Sequence, residues 1–314
     1  MKKSICAFLV LSVLLVSCGE QKNKDTRFLL DTVVTLEARC DNETLEGAFS
    51  LCEDLESLLS RTVETSEVSR LNAGETLTAS EHTRKIIERS LYYSDLTNGK
   101  FDITICSVSS LWNFNEEIIP EKKEIAEALK SVDYESILFG ETKVRLDGSK
   151  IDLGGIAKGY IADEITEYFK QKGVENGIVN LGGNIKVFGK EYTIGIKSPF
   201  ETEDVIAKIK LSDMSAVTSG IYERSFEKDG KLYHHILDTK TGYPIENSLA
   251  SVTVIGESSL DCDALSTVCM VLGVDDAVDF INNQTECEAV LIEKDGTIIL
   301  SKGLYMEKNE IFFK

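Results

Sequence analysis

The chain has 314 residues, 42% of them hydrophobic, enough for one large domain or two lobes with a buried core. Its 53 acidic residues against 34 basic ones leave a formal charge of −19, a balance that opposes nucleic-acid binding and electrostatic adhesion to anionic lipid. Three histidines and eight cysteines without a CxxC pair offer no ligand set for a structural zinc site.

Met1-Lys2-Lys3 and the apolar run Ala7–Val16 make a basic start and a core too short to span a bilayer, so residues 1–17 read as a signal peptide. The run ends in Leu15-Val16-Ser17-Cys18, which resembles the lipobox of bacterial lipoproteins. That resemblance implies a lipidated Cys18 as the first mature residue and a lipid-anchored, extracytoplasmic place on the cell membrane. Removing Lys2 and Lys3 with the leader takes the charge from −19 to −21, so attachment has to come from lipid and not from a basic face. Residues 18–26 then form a lipidated polar tether, and residues 27–314 the folded domain.

Within that domain, the alternation over Arg27–Arg39 predicts a first strand, and Leu45–Leu59 a helix with Leu45, Phe49, Cys52, Leu55 and Leu59 on one face. Residues 59–70 are polar and read as a loop. A helix follows over Glu81–Thr97, stopped by Asn98-Gly99, and another over Glu121–Lys130. Short strands fill Ser136–Leu153, broken at Gly140 and at Asp147-Gly148. The apolar run Lys150–Leu153 meets Gly154-Gly155 and an amphipathic pattern that reaches Lys170 before Gly173. Taken alone, a strand, a glycine pair and a helix start make an ordinary turn whose glycines serve the bend, or a place where backbone approaches a ligand and free N–H groups receive an anion. Strands are predicted at Gly177–Leu181, Ile185–Phe188, Tyr192–Ile196, Val205–Leu211, Ser225–Glu227 and Ser251–Ile255. Helices follow at Ser259–Leu272 and Asp275–Asn282, and two strands around Asp295-Gly296 close the chain. Short turns between strands favour an α+β fold with mixed, largely antiparallel sheets and packed helices, as a single bilobed domain. Six cysteines past the tether (Cys40, Cys52, Cys106, Cys262, Cys269 and Cys287) allow 15 pairings, and spacing selects none.

Four further stretches carry polar chemistry. On a helix, Asp263 and Thr267 share a face and offer the hard oxygen donors that suit Mg²⁺, although helix capping explains such a pair equally well. His234-His235-Ile-Leu-Asp238-Thr-Lys-Thr241-Gly242 is a polar loop in which His235 can move a proton near neutral pH, or a hairpin whose Asp238 and Thr241 bond backbone. Phe101–Thr104 and Ala216–Arg224 combine glycines, hydroxyls and aromatics. Asp152-Leu-Gly-Gly and Asn180-Leu-Gly-Gly hint at a duplication that chance also explains, given 22 glycines.

Their order is the specific signal. Phe101-Asp-Ile-Thr, Asp152-Leu-Gly-Gly-Ile-Ala-Lys-Gly-Tyr, Asn180-Leu-Gly-Gly-Asn, Thr218-Ser-Gly, His235-Ile-Leu-Asp-x-x-Thr-Gly and Asp263-Ala-Leu-Ser-Thr267 form one series. This series resembles the ApbE family of FAD:protein FMN transferases from Arg27 to the C-terminus. The resemblance implies Mg²⁺-dependent transfer of FMN from FAD to a threonine of an acceptor protein through a phosphoester, with AMP released. It also implies Mg²⁺ held by Asp263, Thr267 and the carbonyl of Gly155. FAD would be met by Phe101, Asp102, Thr104, Asp152, Lys158 and the backbone at Leu237, with His235 and Asp263 as the catalytic pair.

Three positions depart from the family pattern: Thr239 where proline is usual, Leu30-Asp31-Thr32 where many members have Met-Gly-Thr, and Thr62 near the place of a tyrosine. The chain has no acceptor motif of its own, so the expected partner is another protein, such as a subunit of a membrane redox complex. An FAD pyrophosphatase giving FMN and AMP fits the same motifs, and the sequence does not separate it from the transferase; a non-catalytic flavin-binding lipoprotein has no need of Asp263, Thr267 and His235 in register. Oligomeric state leaves no mark in the sequence.

Overall fold

The computed structural model describes residues 22–200 and 204–314. The expected signal peptide over 1–17 and the expected lipidation site at Cys18 lie outside them. In chain order the elements are β1 (Lys22–Leu29), β2 (Thr32–Arg39), α1 (Asn42–Leu59), α2 (Glu67–Asn72), β3 (Leu77–Thr78), α3 (Glu81–Leu96), α4 (Cys106–Ser109) and α5 (Lys122–Ala128). Next come β4 (Ile137–Phe139), β5 (Lys143–Leu146), α6 (Ala157–Gln171), β6 (Gly177–Leu181), β7 (Asn184–Phe188), β8 (Tyr192–Lys197), β9 (Val205–Leu211) and β10 (Ser215–Gly220). The chain ends with β11 (Ser225–Lys228), β12 (Lys231–His234), β13 (Leu249–Gly256), α7 (Ser259–Leu272), α8 (Val274–Gln284), β14 (Glu288–Glu293), β15 (Ile298–Leu300), β16 (Leu304–Glu307) and β17 (Glu310–Phe313).

An eight-stranded sheet in the order β1-β2-β6-β7-β10-β13-β14-β15 organises the molecule, and each of its neighbouring pairs is antiparallel. One face packs α1, α6 and α7 into the main core around Phe49, Phe169, Val252 and Leu265. The opposite face packs a sheet ordered β16-β17-β9-β8, with Ile194, Ile196 and Ile209 against Val187, Ala216 and Val290. β13 is buried along its whole length because it lies between these two cores, which explains its unbroken Leu-Ala-Ser-Val-Thr-Val-Ile run. A third cluster joins Val108, Trp112 and Ile125 to Leu237. The α+β, largely antiparallel architecture follows the reading of the sequence.

Several boundaries differ from that reading. The expected strand over Arg27–Arg39 is a hairpin that reverses at Leu30-Asp31, both with φ of 56°, and β1 starts at Lys22 inside the polar stretch assigned to the tether. Alternation alone does not register a two-residue turn made of residues other than Asn and Gly. Ile151–Leu153 is not a strand. Asn72 holds Ile151 through both backbone groups (2.7 and 2.9 Å), and the segment is anchored by one bridge from Lys150 to Ile105. Part of the supposed loop at 59–70 is α2, while Ala216–Gly220 belongs to β10 of the main sheet. The chain closes with β16 and β17, after the pair around Asp295-Gly296. The two Leu-Gly-Gly motifs are not equivalent either, since one leads into α6 and the other turns β6 into β7.

Candidate active site

The site forms where the start of α6 meets α7. Gly159 sits in the first turn of α6, and a methyl group there would lie 2.2 Å from the carbonyl oxygen of Ser259 and 2.7 Å from Cβ of Asp263. Only glycine lets the helices approach this closely. The approach puts Asp263 Oδ2 within 2.8 Å of the Gly159 N–H, which donates to it. Asp163, one turn further along α6, accepts from the N–H groups of Ser259 and Leu260 (3.1 and 3.0 Å) and pairs with Lys186 (3.2 Å), so α6 caps α7. Asp261 faces the other way, to Arg89 and to the Tyr93 hydroxyl (2.9 Å), and fastens α7 to α3.

Asp263 is 5% exposed, and burial pushes its carboxyl above the ordinary range, against the pull of Lys158, the Gly159 N–H and the Asn184 side chain. A buried carboxylate of this kind gains from a cation beside it. Thr267 lies one turn on, and a methyl placed on Gly155 would be 3.4 Å from its Oγ1 and 3.6 Å from the Phe101 ring. Asp263, Thr267 and the Gly155 backbone thus converge, with Phe101 beside them. The free N–H groups expected at the start of α6 are largely spent. Ala157 N–H bonds the Leu153 carbonyl (2.8 Å) and Gly159 N–H bonds Asp263, so the helix start is not the open anion site that the glycine pair suggested.

Lys158 projects from the same turn and acts electrostatically on Asp263, Glu223 and His235. His235 N–H is bonded to the Arg224 carbonyl (3.1 Å), and its ring Nδ1 is buried with no hydrogen-bond partner among the described residues. Burial, with Arg224, His234 and Lys158 nearby, lowers its pKa to about 4, so the imidazole is neutral at neutral pH. The rest of the loop is structural. Asp238 Oδ1 accepts from the N–H groups of Lys240 and Thr241 (2.9 and 2.7 Å), and Thr239, in the place of the family's proline, donates to the Gly99 carbonyl (2.8 Å).

Other candidates are occupied. Asp152 is held by Arg61 (3.0 Å), by Ser109 (3.4 Å) and by the Gly154 N–H (2.9 Å). Asp102 accepts from Thr104 N–H and Oγ1 (2.7 and 2.6 Å), and Thr104 Oγ1 in turn accepts from Asp133 N–H (2.8 Å). Those two side chains shape the loop that presents Phe101. Leu237 is buried in the third cluster and offers only backbone. The reading of the sequence missed Arg61, Gly159, Asn184 and Glu223. Gly159, Asn184 and Glu223 stood inside motifs already singled out, whereas Arg61 becomes visible only when the fold pairs it with Asp152.

All six described cysteines past the tether are free thiols. No group of three His, Cys, Asp or Glu side chains clusters as a metal cage among the described residues, and no helix there is long and apolar enough to cross a membrane.

Glycine backbone, a buried carboxylate, a lysine and a neutral histidine thus meet around the start of α6. The chain belongs to the ApbE family, whose model matches residues 30–291. It is 35% identical over 284 residues to a FAD:protein FMN transferase of Klebsiella pneumoniae, covering 87% of this chain and 90% of that protein. A Treponema pallidum protein of the same name is 30% identical over 288 residues, covering 83% and 80%. Among solved structures, the ApbE protein of Thermotoga maritima superposes with a TM-score of 0.82 at 33% identity, covering 90% of this chain and 97% of that one. The flavin transferase ApbE of Vibrio cholerae gives 0.80 at 26% identity, covering 90% and 98%.

Proposed function

We propose that this protein transfers FMN from FAD to a threonine hydroxyl of an acceptor protein, in a Mg²⁺-dependent reaction that releases AMP. The observation that carries this reading is the buried Asp263, bonded to Gly159 N–H, facing Lys158 and set beside Thr267 and Gly155. Carboxylate, hydroxyl and backbone carbonyl are all hard oxygen donors, a set that fits Mg²⁺ and leaves room for phosphate oxygens. When bound there, Mg²⁺ supplies charge neutralisation for a pyrophosphate.

The chain's own residues do the rest. Lys158 brings a second positive charge to the pyrophosphate, and the Gly154-Gly155 backbone lets it approach. Phe101 offers an apolar edge to the nucleotide, held in place by the Asp102–Thr104 hydrogen bonds. His235 takes the proton as the acceptor oxygen bonds to the FMN phosphorus. The bond from that phosphorus to the bridging oxygen breaks, and AMP leaves with the oxygen. Positioning and charge carry such a transfer more than a covalent nucleophile does.

We place the protein outside the cytoplasmic membrane, anchored through Cys18, with a membrane redox-complex subunit as acceptor. The test is mass spectrometry of a candidate acceptor after incubation with the protein, FAD and Mg²⁺. A gain of one FMN on threonine supports transfer. Stoichiometric FMN and AMP with an unmodified acceptor would make the protein a pyrophosphatase, and FAD bound without AMP release would make it a binder.

A further inference from the structure

Two thiols that the chemistry above does not use meet at the end of β13. The ladder between β13 and β14 pairs Ile255 with Glu288, so Cys287 comes alongside Gly256 where that ladder ends. Cys262, at the end of the first turn of α7, reaches the same spot from the helix. A methyl group on Gly256 would lie 2.6 Å from Cys287 Sγ and 3.0 Å from Cys262 Sγ. Both distances are too short for a carbon, so glycine is what lets the two sulfurs rest together on that piece of backbone. The two thiols are also hydrogen-bonded to each other.

Their access to solvent differs. Cys262 is 0% exposed, whereas Cys287 is half-buried and follows the exposed residues Asn283, Gln284 and Glu286. Cys269, two turns further along α7, also lies near Cys287. It is fully buried, and the atoms nearest to Gly256 all belong to Cys287 and Cys262. A reagent in solution therefore meets Cys287 first, with Cys262 already behind it.

We propose that Cys262 and Cys287 are a disulfide site, closed by exchange with a small-molecule disulfide, and that the bond clamps the start of α7 to the start of β14. The Cys287 sulfur attacks one sulfur of the reagent, whose S–S bond breaks, and one thiol leaves with the proton from Cys287. The Cys262 sulfur then attacks Cys287 Sγ in the mixed disulfide, and the second thiol leaves with the proton from Cys262. Two protein S–H bonds give way to one S–S bond, and the two electrons end on the reagent as two thiols. Closure joins sulfurs that are already in contact, so Asp263, the next residue after Cys262, keeps its place beside Gly159. The loop that is closed contains the whole of α8, and cross-linking it restricts the unfolded chain. The extracytoplasmic place proposed above is one where such bonds persist.

The test uses the full protein, reduced, freed of reductant and then held with glutathione disulfide. Peptide mapping without reductant should find Cys262 joined to Cys287, two hydrogens lighter than the reduced pair. Cys262→Ser should trap one glutathione on Cys287, whereas Cys287→Ser should leave Cys262 as an unmodified thiol. Oxidation should raise the urea midpoint of the wild type by roughly 1 M and that of neither variant. The wild-type map and midpoint need no variant to fold. A wild type that keeps glutathione on Cys287, or keeps both thiols free, would overturn the site. So would a bond from Cys287 to Cys269, or a midpoint that the Cys262–Cys287 bond leaves unchanged or lowers.

Discussion

Replacing Gly159 with alanine separates two opposed effects in one residue. In a helix interior, alanine is favoured over glycine by up to about 1 kcal/mol, so a site with room would gain stability. The structure leaves no room. The added methyl would sit 2.2 Å from the Ser259 carbonyl oxygen, about 1.2 Å inside ordinary contact at 3.4 Å, and 2.7 Å from Cβ of Asp263. Neither atom is the tip of a flexible side chain, so α6 and α7 have to separate. Overpacking of this kind costs roughly 1–3 kcal/mol, which outweighs the helix-propensity gain. A shift of about 1 Å in Asp263 relative to Gly155 and Lys158 should also slow AMP release by about a hundredfold. Urea unfolding reads the first effect and single-turnover AMP release the second. A Gly159→Ala protein that is more stable and fully active would refute the account of how the site is assembled.

The hairpin turn gives a prediction of opposite sign. Asp31 sits at φ 56°, where many family members have glycine, and its ion pair with Arg224 is long and exposed (3.7 Å). Asp31→Gly should therefore stabilise the protein by about 0.5–1 kcal/mol in urea unfolding, since relieved strain exceeds an exposed ion pair; a loss of stability would contradict this. The two histidines of the loop make stability depend on pH. Burial lowers both His234 and His235 from 6.5 to about 4, so their contribution is full above 6.5 and is lost as pH falls through 4. The raised carboxyls of Asp102 and Asp263 pull the other way, so the readout is a difference: between about pH 7 and pH 5, His234→Gln should lose less stability than the wild type, by roughly 1–2 kcal/mol. Equal losses would show that His234 is not desolvated. Burial pushes the Cys52 thiol up to about 12 and raises Cys106 and Cys269, while the neighbouring Cys287 and then burial raise Cys262, so native protein should resist alkylation at these four and react only on unfolding. Rapid native labelling of Cys262 would refute the packing of α7.

Much of this was legible in the residues, for reasons that differ by element. The helices over 45–59, 81–97 and 259–272 declare themselves because one face is apolar at helical spacing and a cap or glycine ends the run. β10 was missed because Thr218-Ser-Gly220 looks polar, although two of its hydroxyls are spent on Thr253 and Ser266 across opposite faces of a buried sheet. The ordered motifs brought Asp263, Thr267, Gly155, Lys158 and His235 to one place. They misled about the helix start, because a glycine pair before a helix looks the same whether its N–H groups are free or taken. Nor do they distinguish a residue that meets a ligand from one that builds the loop. Asp102, Thr104 and Asp238 sit within the motifs, yet their side chains bond their own neighbourhoods. Glycines whose role is close approach, such as Gly159, need a partner helix more than a hundred residues away before their purpose shows.

The central claim is that Asp263 organises the charge at the pyrophosphate, and AMP release from FAD with and without Mg²⁺, in wild type and Asp263→Ala, tests it most directly. The wild type should release AMP only with Mg²⁺, and the variant, still folded, should fall by about a hundredfold or more, a loss of about 2.7 kcal/mol in transition-state stabilisation. Undiminished Mg²⁺-dependent AMP release by Asp263→Ala would contradict the account.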